Sequence, residues 1–167
     1  MLKVLFVCHG NICRSPMAEF VLRDLAMREG LASAIRVDSA ATTAEELGNP
    51  VHPGTRRVLA AHGVACVGHV ARQVRRDEYG AWDLIVAMDD ENVRDLLRVF
   101  RRDRDGKIRK LMSFAGQSLA EQGKAAHDVE KAARDVADPW YTGDFEATYR
   151  DVRAGCEGIL ALAAARR

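Results

Sequence analysis

The run LKVLFV (2–7) is almost wholly apolar, and MAEFVLRDLAMRE, starting at residue 17, brings its apolar residues back at helical spacing. A strand that is apolar on consecutive rather than alternate residues has both faces covered, as in the parallel sheet of an α/β protein. The pattern recurs: IRVDS (35–39) and DLIVAM (83–88) read as strands, and 108–113 as a fourth. Between them, a helix is predicted from Pro16 to about Glu29, with Ser15 as its cap and Pro16 in its first turn. Another covers 54–62 and ends at Gly63, and DDENVRDLLRVF is a third, capped by Asp89 or Asp90. A long helix over 145–166 closes the chain, weakened at Gly155 and Gly158. Residues 64–67 read as a short extended piece, RRDEYGAW as a short helix or turn, and 115–127 as a polar helix or loop. Strands alternating with helices make βαβ units. The expected fold is a four-stranded, mostly parallel twisted sheet with helices on both faces, in a single domain over 1–167.

A chain of 167 residues can bury a sizeable core without staples. Its net charge of +1 selects neither nucleic acid nor membrane as a partner. No apolar run is long enough to span a bilayer, and the N-terminus lacks a signal-peptide cleavage site, so a soluble, cytoplasmic protein is expected. The basic stretch FRRDRDGKIRK (100–110) is broken by Asp103 and Asp105 and reads as a solvated loop, with an anion-docking patch as the alternative. The four cysteines, Cys8, Cys13, Cys66 and Cys156, form no CxxC pair, and the five histidines do not cluster, so neither metal nor cofactor is expected. Cys66 and Cys156 read as small buried hydrophobes.

The chemistry concentrates between the first strand and the first helix, in VLFVCHGNICRSPMAE (4–19). In open α/β sheets, ligands sit at the carboxyl ends of strands, and a helix N-terminus there favours anions. Gly10 and Asn11 are the residues best able to take positive φ and form a nest of amides. GxxxxGK[ST] and GxGxxG are both absent, so this is not a nucleotide loop. Arg14 offers a planar fork that holds two oxygens of a tetrahedral oxyanion. Cys8 stands at the loop's mouth, and thiols at helix N-termini beside cations favour the nucleophilic thiolate. Ser15 is placed to donate to that sulfur. A lone C-x5-R is common by chance, but the strand before, Gly-Asn within and Ser-Pro after make it an anion cradle with a nucleophile.

VCHGNICRSPMAE closely resembles the loop of the low-molecular-weight protein tyrosine phosphatases. VDSAAT (37–42), HVARQV (69–74), DLIVAMDDENVRDL (83–96) and VADPWYTGDFEATY (136–149) resemble further family segments in family order, over nearly the whole chain. The resemblance implies that Cys8 attacks phosphorus, Arg14 clamps the phosphoryl oxygens and Asp138, in DPWY, is the general acid and base. Asp135 is a nearby competitor without the following Pro-aromatic pair. The resemblance also assigns loop support to Asn11, Ser15, Ser39 and His69, with His9, Gly10 and Ile12 completing the loop. Trp140 and Tyr141 become an aromatic wall for an aryl phosphate. Cys13 matches a second loop cysteine able to pair with an oxidised Cys8 or simply to pack. Glu45 or Glu46, with Leu47 next, falls where relatives often carry a bulky apolar residue; an acidic rim there should favour basic flanking residues, and His9 is placed to touch it. The stretch 100–110 looks slightly longer than the common pattern.

The implied partner is a phosphotyrosine-containing protein, with a tyrosine kinase as one candidate and the chain a monomer or weak dimer. Protein-arginine phosphatases and arsenate reductases share the loop and Asp-Pro. The former place threonine where this chain has Ile12, and the latter need late cysteines that Cys66 and Cys156 do not supply. A non-catalytic phosphoanion-binding or redox-sensing protein is the reading from a different class, and it would fit a chain lacking Cys8, Arg14 or Asp138.

Overall fold

The computed structural model describes residues 1–116 and 133–166. Four strands form one sheet in the order β2-β1-β3-β4, parallel throughout: β1 Leu2–Cys8, β2 Ile35–Ala41, β3 Leu84–Ala87 and β4 Ile108–Lys110. The helices are α1 Arg14–Arg28, α2 Pro53–Ala61, α3 Asp90–Phe100, the short α4 Pro139–Thr142 and α5 Phe145–Ala165. Most of the segment 115–127, left open between helix and loop by the sequence, lies outside the described residues.

The unbroken apolar run of β1 now has its cause. Val4, Phe6 and Cys8 face a core shared with α1, α2 and α5. Leu5 and Val7 face the opposite core, with Trp82 and with Leu96 and Phe100 of α3. Alternate residues of one strand thus feed two cores, and neither face can be polar.

Gly155 and Gly158 interrupt the helical pattern of α5 for a packing reason. A Cβ on Gly158 would lie 2.0 Å from the Phe114 carbonyl oxygen, and one on Gly155 would lie 2.4 Å from the Leu111 side chain. The helix needs those two bare positions to sit against the turn that follows β4.

Two local expectations are corrected, the cap of α1 and the burial of Cys66. α1 begins at Arg14, so Cys13 is its N-cap and makes no side-chain cap bond; Ser15 lies inside the helix because its hydroxyl is used in the loop behind Cys8. Residues 64–67 form no strand. The contact that edges β2 is instead an isolated bridge from Ala41 to Gln73. Cys66 is only half-buried, whereas Cys156 is fully buried as expected. The expected loop at 100–110 is only its middle part: Phe100 ends α3, Ile108–Lys110 is β4, and the exposed loop between them is organised by Asp103, which accepts from the amides of Lys107 and Ile108 and from the Tyr79 hydroxyl. Among the described residues, no helix is long and apolar enough to cross a membrane.

Candidate active site

Connections from β1 lead to β2 on one side, while β3 and β4 lie on the other. The strand order therefore reverses between β1 and β3, which is where open α/β sheets place a crevice. Cys8 is the last residue of β1, paired with Ala41. Across the crevice, β3 runs through Met88 into Asp89, the N-cap of α3. The sequence places its thiol and an acidic helix cap on the two lips of one opening.

Behind Cys8, Asn11 organises the loop. It is fully buried and adopts φ +58°, the left-handed conformation that asparagine tolerates better than most residues. The sequence allowed Gly10 the same role, but among the described residues positive φ falls on Asn11 and not on Gly10. A Cβ on Gly10 would instead press on the Glu46 side chain at 3.1 Å. The Asn11 amide N–H points at the Cys8 sulfur at 3.3 Å. Its side-chain Nδ2 donates to Ser15 Oγ and to Ser39 Oγ, each at 2.9 Å, while its Oδ1 accepts from the Arg72 amide at 3.1 Å. His69 Nε2 donates to the Asn11 carbonyl at 2.9 Å. Ser15 Oγ lies 3.1 Å from Cys8 Sγ. It accepts from Asn11, and its single proton has two acceptors in reach, the Cys8 sulfur and the Ala40 carbonyl at 3.4 Å.

Glu19 anchors this network from α1, accepting from Ser39 Oγ and lying 3.7 Å from His69 Nδ1. The sequence missed it, although its place four residues after Ser15 puts both on one helix face. Asn11, Ser15, Ser39 and His69 therefore stand together as one cluster behind the thiol.

Arg14 is buried and paired with two carboxylates. Nη1 donates to Asp89 Oδ2 at 2.6 Å and to the Val136 carbonyl at 3.3 Å, and Nη2 donates to Asp138 Oδ2 at 2.8 Å. Burial disfavours its charge, but Cys8, Asp138 and Asp89 more than offset this and raise its pKa. Asp138 caps α4 by accepting from the Trp140 amide at 3.1 Å through Oδ1, leaving Oδ2 for Arg14. Its competitor Asp135 is spoken for elsewhere, by Lys110 and by the Asp90 amide. Asp89 was read only as a helix cap. It does cap α3, through the Asn92 amide at 2.7 Å, and its second oxygen holds Arg14.

The cavity in front of Cys8 encloses about 190 Å³ and is lined by Cys8, His9, Gly10, Ile12, Cys13, Arg14 and Asp138. Trp140, Tyr141, Glu45 and Glu46 surround its mouth, with Glu91 from the first turn of α3. Trp140 is 62% and Tyr141 84% exposed, so neither is a core residue. Trp140 meets His52 edge-on at 6.0 Å, and His52 stacks on Phe145 at 5.0 Å. His9 donates to Glu45 at 2.9 Å. Glu91 was not singled out in the sequence; only its placement at a helix start beside Asp89 hinted at it. Cys13 is buried beside Cys8, and burial first, then the charges of Cys8 and Asp138, push its thiol up to about 12. Among the described residues, no group of three or more His, Cys, Asp or Glu side chains gathers to hold a metal ion.

This arrangement offers a sulfur that accepts from one amide and lies in hydrogen-bond reach of a hydroxyl, with a guanidinium and a carboxyl at the same cavity. The model of the low molecular weight phosphotyrosine protein phosphatase family matches residues 3–166. The low molecular weight protein-tyrosine-phosphatase YfkJ of Bacillus subtilis is 40% identical over 96% of this chain and 95% of its own length. The crystal structure of YfkJ superposes with a TM-score of 0.87 at 38% identity, covering 100% of this chain and 97% of that one. The low molecular weight phosphotyrosine protein phosphatase of Gallus gallus is 38% identical over 95% of this chain and 93% of its own. A drosophila arginine phosphatase structure is also similar, with a TM-score of 0.77 at 30% identity over 96% of each chain. With the family match running almost end to end and the loop, its buried support and Asp-Pro converging on one cavity, the chain belongs to the low molecular weight phosphotyrosine protein phosphatase family.

Proposed function

We propose that this chain acts as one cysteine-dependent phosphatase domain that hydrolyses phosphotyrosine in proteins through a phosphocysteine on Cys8. The observation that carries this reading is the Cys8 sulfur at the cavity floor, met by the Asn11 amide and the Ser15 hydroxyl, with Arg14 and Asp138 lining the same space. In the first step the Cys8 thiolate attacks phosphorus. A P–S bond forms, the P–O bond to the tyrosyl oxygen breaks, and Asp138 protonates the departing phenolate. Arg14 Nη2 exchanges Asp138 for a phosphoryl oxygen, which frees the acid for its task and places the guanidinium where charge accumulates. In the second step the Asp138 carboxylate takes a proton from water, the water oxygen attacks phosphorus, and the P–S bond breaks. Orthophosphate leaves with Cys8 restored as thiolate, stabilised by the Ser15 hydroxyl.

Trp140 and Tyr141 present aromatic surface at the cavity mouth, where the ring of an aryl phosphate would lie. Glu45, Glu46 and Glu91 at the same mouth favour substrates with basic residues beside the phosphotyrosine. Cys13 can resolve a Cys8 sulfenic acid, giving a disulfide and water. The pKa of about 12 that burial imposes on it makes it a slow attacker at neutral pH.

Phosphoarginine is the second substrate reading, favoured by the similar arginine phosphatase structure. Turnover of p-nitrophenyl phosphate in EDTA by the wild type, Cys8→Ser and Asp138→Ala tests the mechanism. Survival of chelation, loss with Cys8→Ser and a steep fall with Asp138→Ala are expected; wild-type inactivity would overturn it. Phosphotyrosine and phosphoarginine peptides then separate the substrates.

A further inference from the structure

Lys110 is a buried cation away from the cavity. It ends β4, where it pairs with Ala87 of β3, and it is 5% exposed. Lysine is seldom buried unless paired, and here Nζ donates to Asp90 Oδ1 at 2.8 Å and to Asp135 Oδ1 at 3.1 Å. The Asp90 amide donates to the same Asp135 oxygen at 3.2 Å. These two acids belong to short chain segments that run side by side, 88–90 and 135–138, tied again by the Val136 amide donating to the Met88 carbonyl at 2.8 Å. Beyond the clasp, the same two segments supply all three acceptors of Arg14: Asp89, the Val136 carbonyl and Asp138.

We propose that Lys110 is a positioning residue for phosphoryl transfer: by clasping Asp90 and Asp135 it fixes the segment that carries Asp138 against the α3 N-terminus. It touches neither substrate nor the reacting atoms. The inference rests on Asp138 being the general acid. Removing the cation leaves the Asp90 and Asp135 carboxylates facing one another beside Asp89, and their repulsion moves 135–138 away from the loop. A displaced acid harms most those substrates whose leaving group must be protonated, and a loss of about 10-fold for a modest misplacement is ordinary.

The test compares kcat/KM, which covers the steps through phosphoryl transfer to Cys8, for phenyl phosphate and p-nitrophenyl phosphate. Phenolate is the more basic leaving group and depends more on the acid. Lys110→Met is expected to lower kcat/KM for phenyl phosphate about 10-fold more than for p-nitrophenyl phosphate, with Lys110→Arg restoring the ratio. In an Asp138→Asn background, Lys110→Met should change the ratio no further. Thermal melting reports whether Lys110→Met folds. If it does not, Asp135→Asn removes one arm of the clasp at a half-exposed carboxylate and should shift the ratio in the same direction. Equal losses for both substrates, or an unchanged ratio in the folded variant, would overturn the clasp. An Asp138→Asn enzyme with the wild-type ratio would overturn the acid assignment and the clasp with it, whereas a normal Asp138→Asn effect beside a uniform Lys110→Met effect overturns the clasp alone.

Discussion

The loop 8–15 and the segment 135–141 face each other across one cavity, and they are held in opposite ways. The loop is mostly buried and over-determined: Asn11 alone engages the Cys8 sulfur, two hydroxyls, the His69 ring and the Arg72 amide. The opposing segment is held by ion pairs at its base, through Lys110 and Arg14, and ends in the exposed rings of Trp140 and Tyr141. On the proposed mechanism phosphate is the same in every substrate, and a rigid loop suits it. The leaving groups differ, and they would meet the exposed rings at the tip of the segment, while the buried cations Lys110 and Arg14 hold its base.

The sharpest way to break the loop side is Cys8→Ser, which should lower turnover by about 10⁴-fold or more while leaving thermal unfolding nearly unchanged. On the opposite side, Asp138→Asn should cost about 10²- to 10³-fold in kcat/KM for phenyl phosphate, measured in steady-state assays. Asn11→Ala distinguishes a rigid loop from an adjustable one. It takes away the acceptor of the Arg72 amide and the donor to two buried hydroxyls, and it puts alanine at positive φ, so it should cost about 1–3 kcal/mol in chemical denaturation and reduce activity on all substrates alike. Alkylation across pH should modify Cys13 only as pH approaches about 12, where its buried thiol ionises, with peptide mapping as the readout. The smallest effect belongs to the rim. Glu45→Gln, Glu46→Gln and Glu91→Gln together should reduce the preference for Lys-flanked over Glu-flanked phosphotyrosine peptides by no more than about 10-fold, and less at high salt.

The sheet and the loop could be read from the sequence because their signals are local. The apolar run of β1 has one explanation, two covered faces, and Cys8, Arg14 and Ser15 lie within eight residues of one another. Ser15 was misassigned as a cap for a physical reason: its hydroxyl has a competing use beside Cys8, which local propensity cannot weigh. What the sequence hid lies in contacts between distant positions. Arg14 reaches Asp89 and Asp138 across 75 and 124 residues, and Lys110 reaches Asp135 across 25. Asp89 and Asp90 looked like interchangeable caps; only the fold gives one to Arg14 and the other to Lys110. Glu19 and Glu91 carry no signal of their own in the sequence; only the packed elements bring them to the loop and the cavity mouth.

The central claim is that Cys8 carries the phosphoryl group between two steps that both use Asp138. Rapid acid quench of Asp138→Ala turning over p-nitrophenyl phosphate, followed by peptide mass mapping, tests it most directly. The account predicts one phosphoryl group on the peptide containing Cys8, located on Cys8 by fragmentation and missing when Cys8→Ser is added. Turnover without a phosphorylated Cys8, or a phosphoryl group on His9 or another residue, would contradict it.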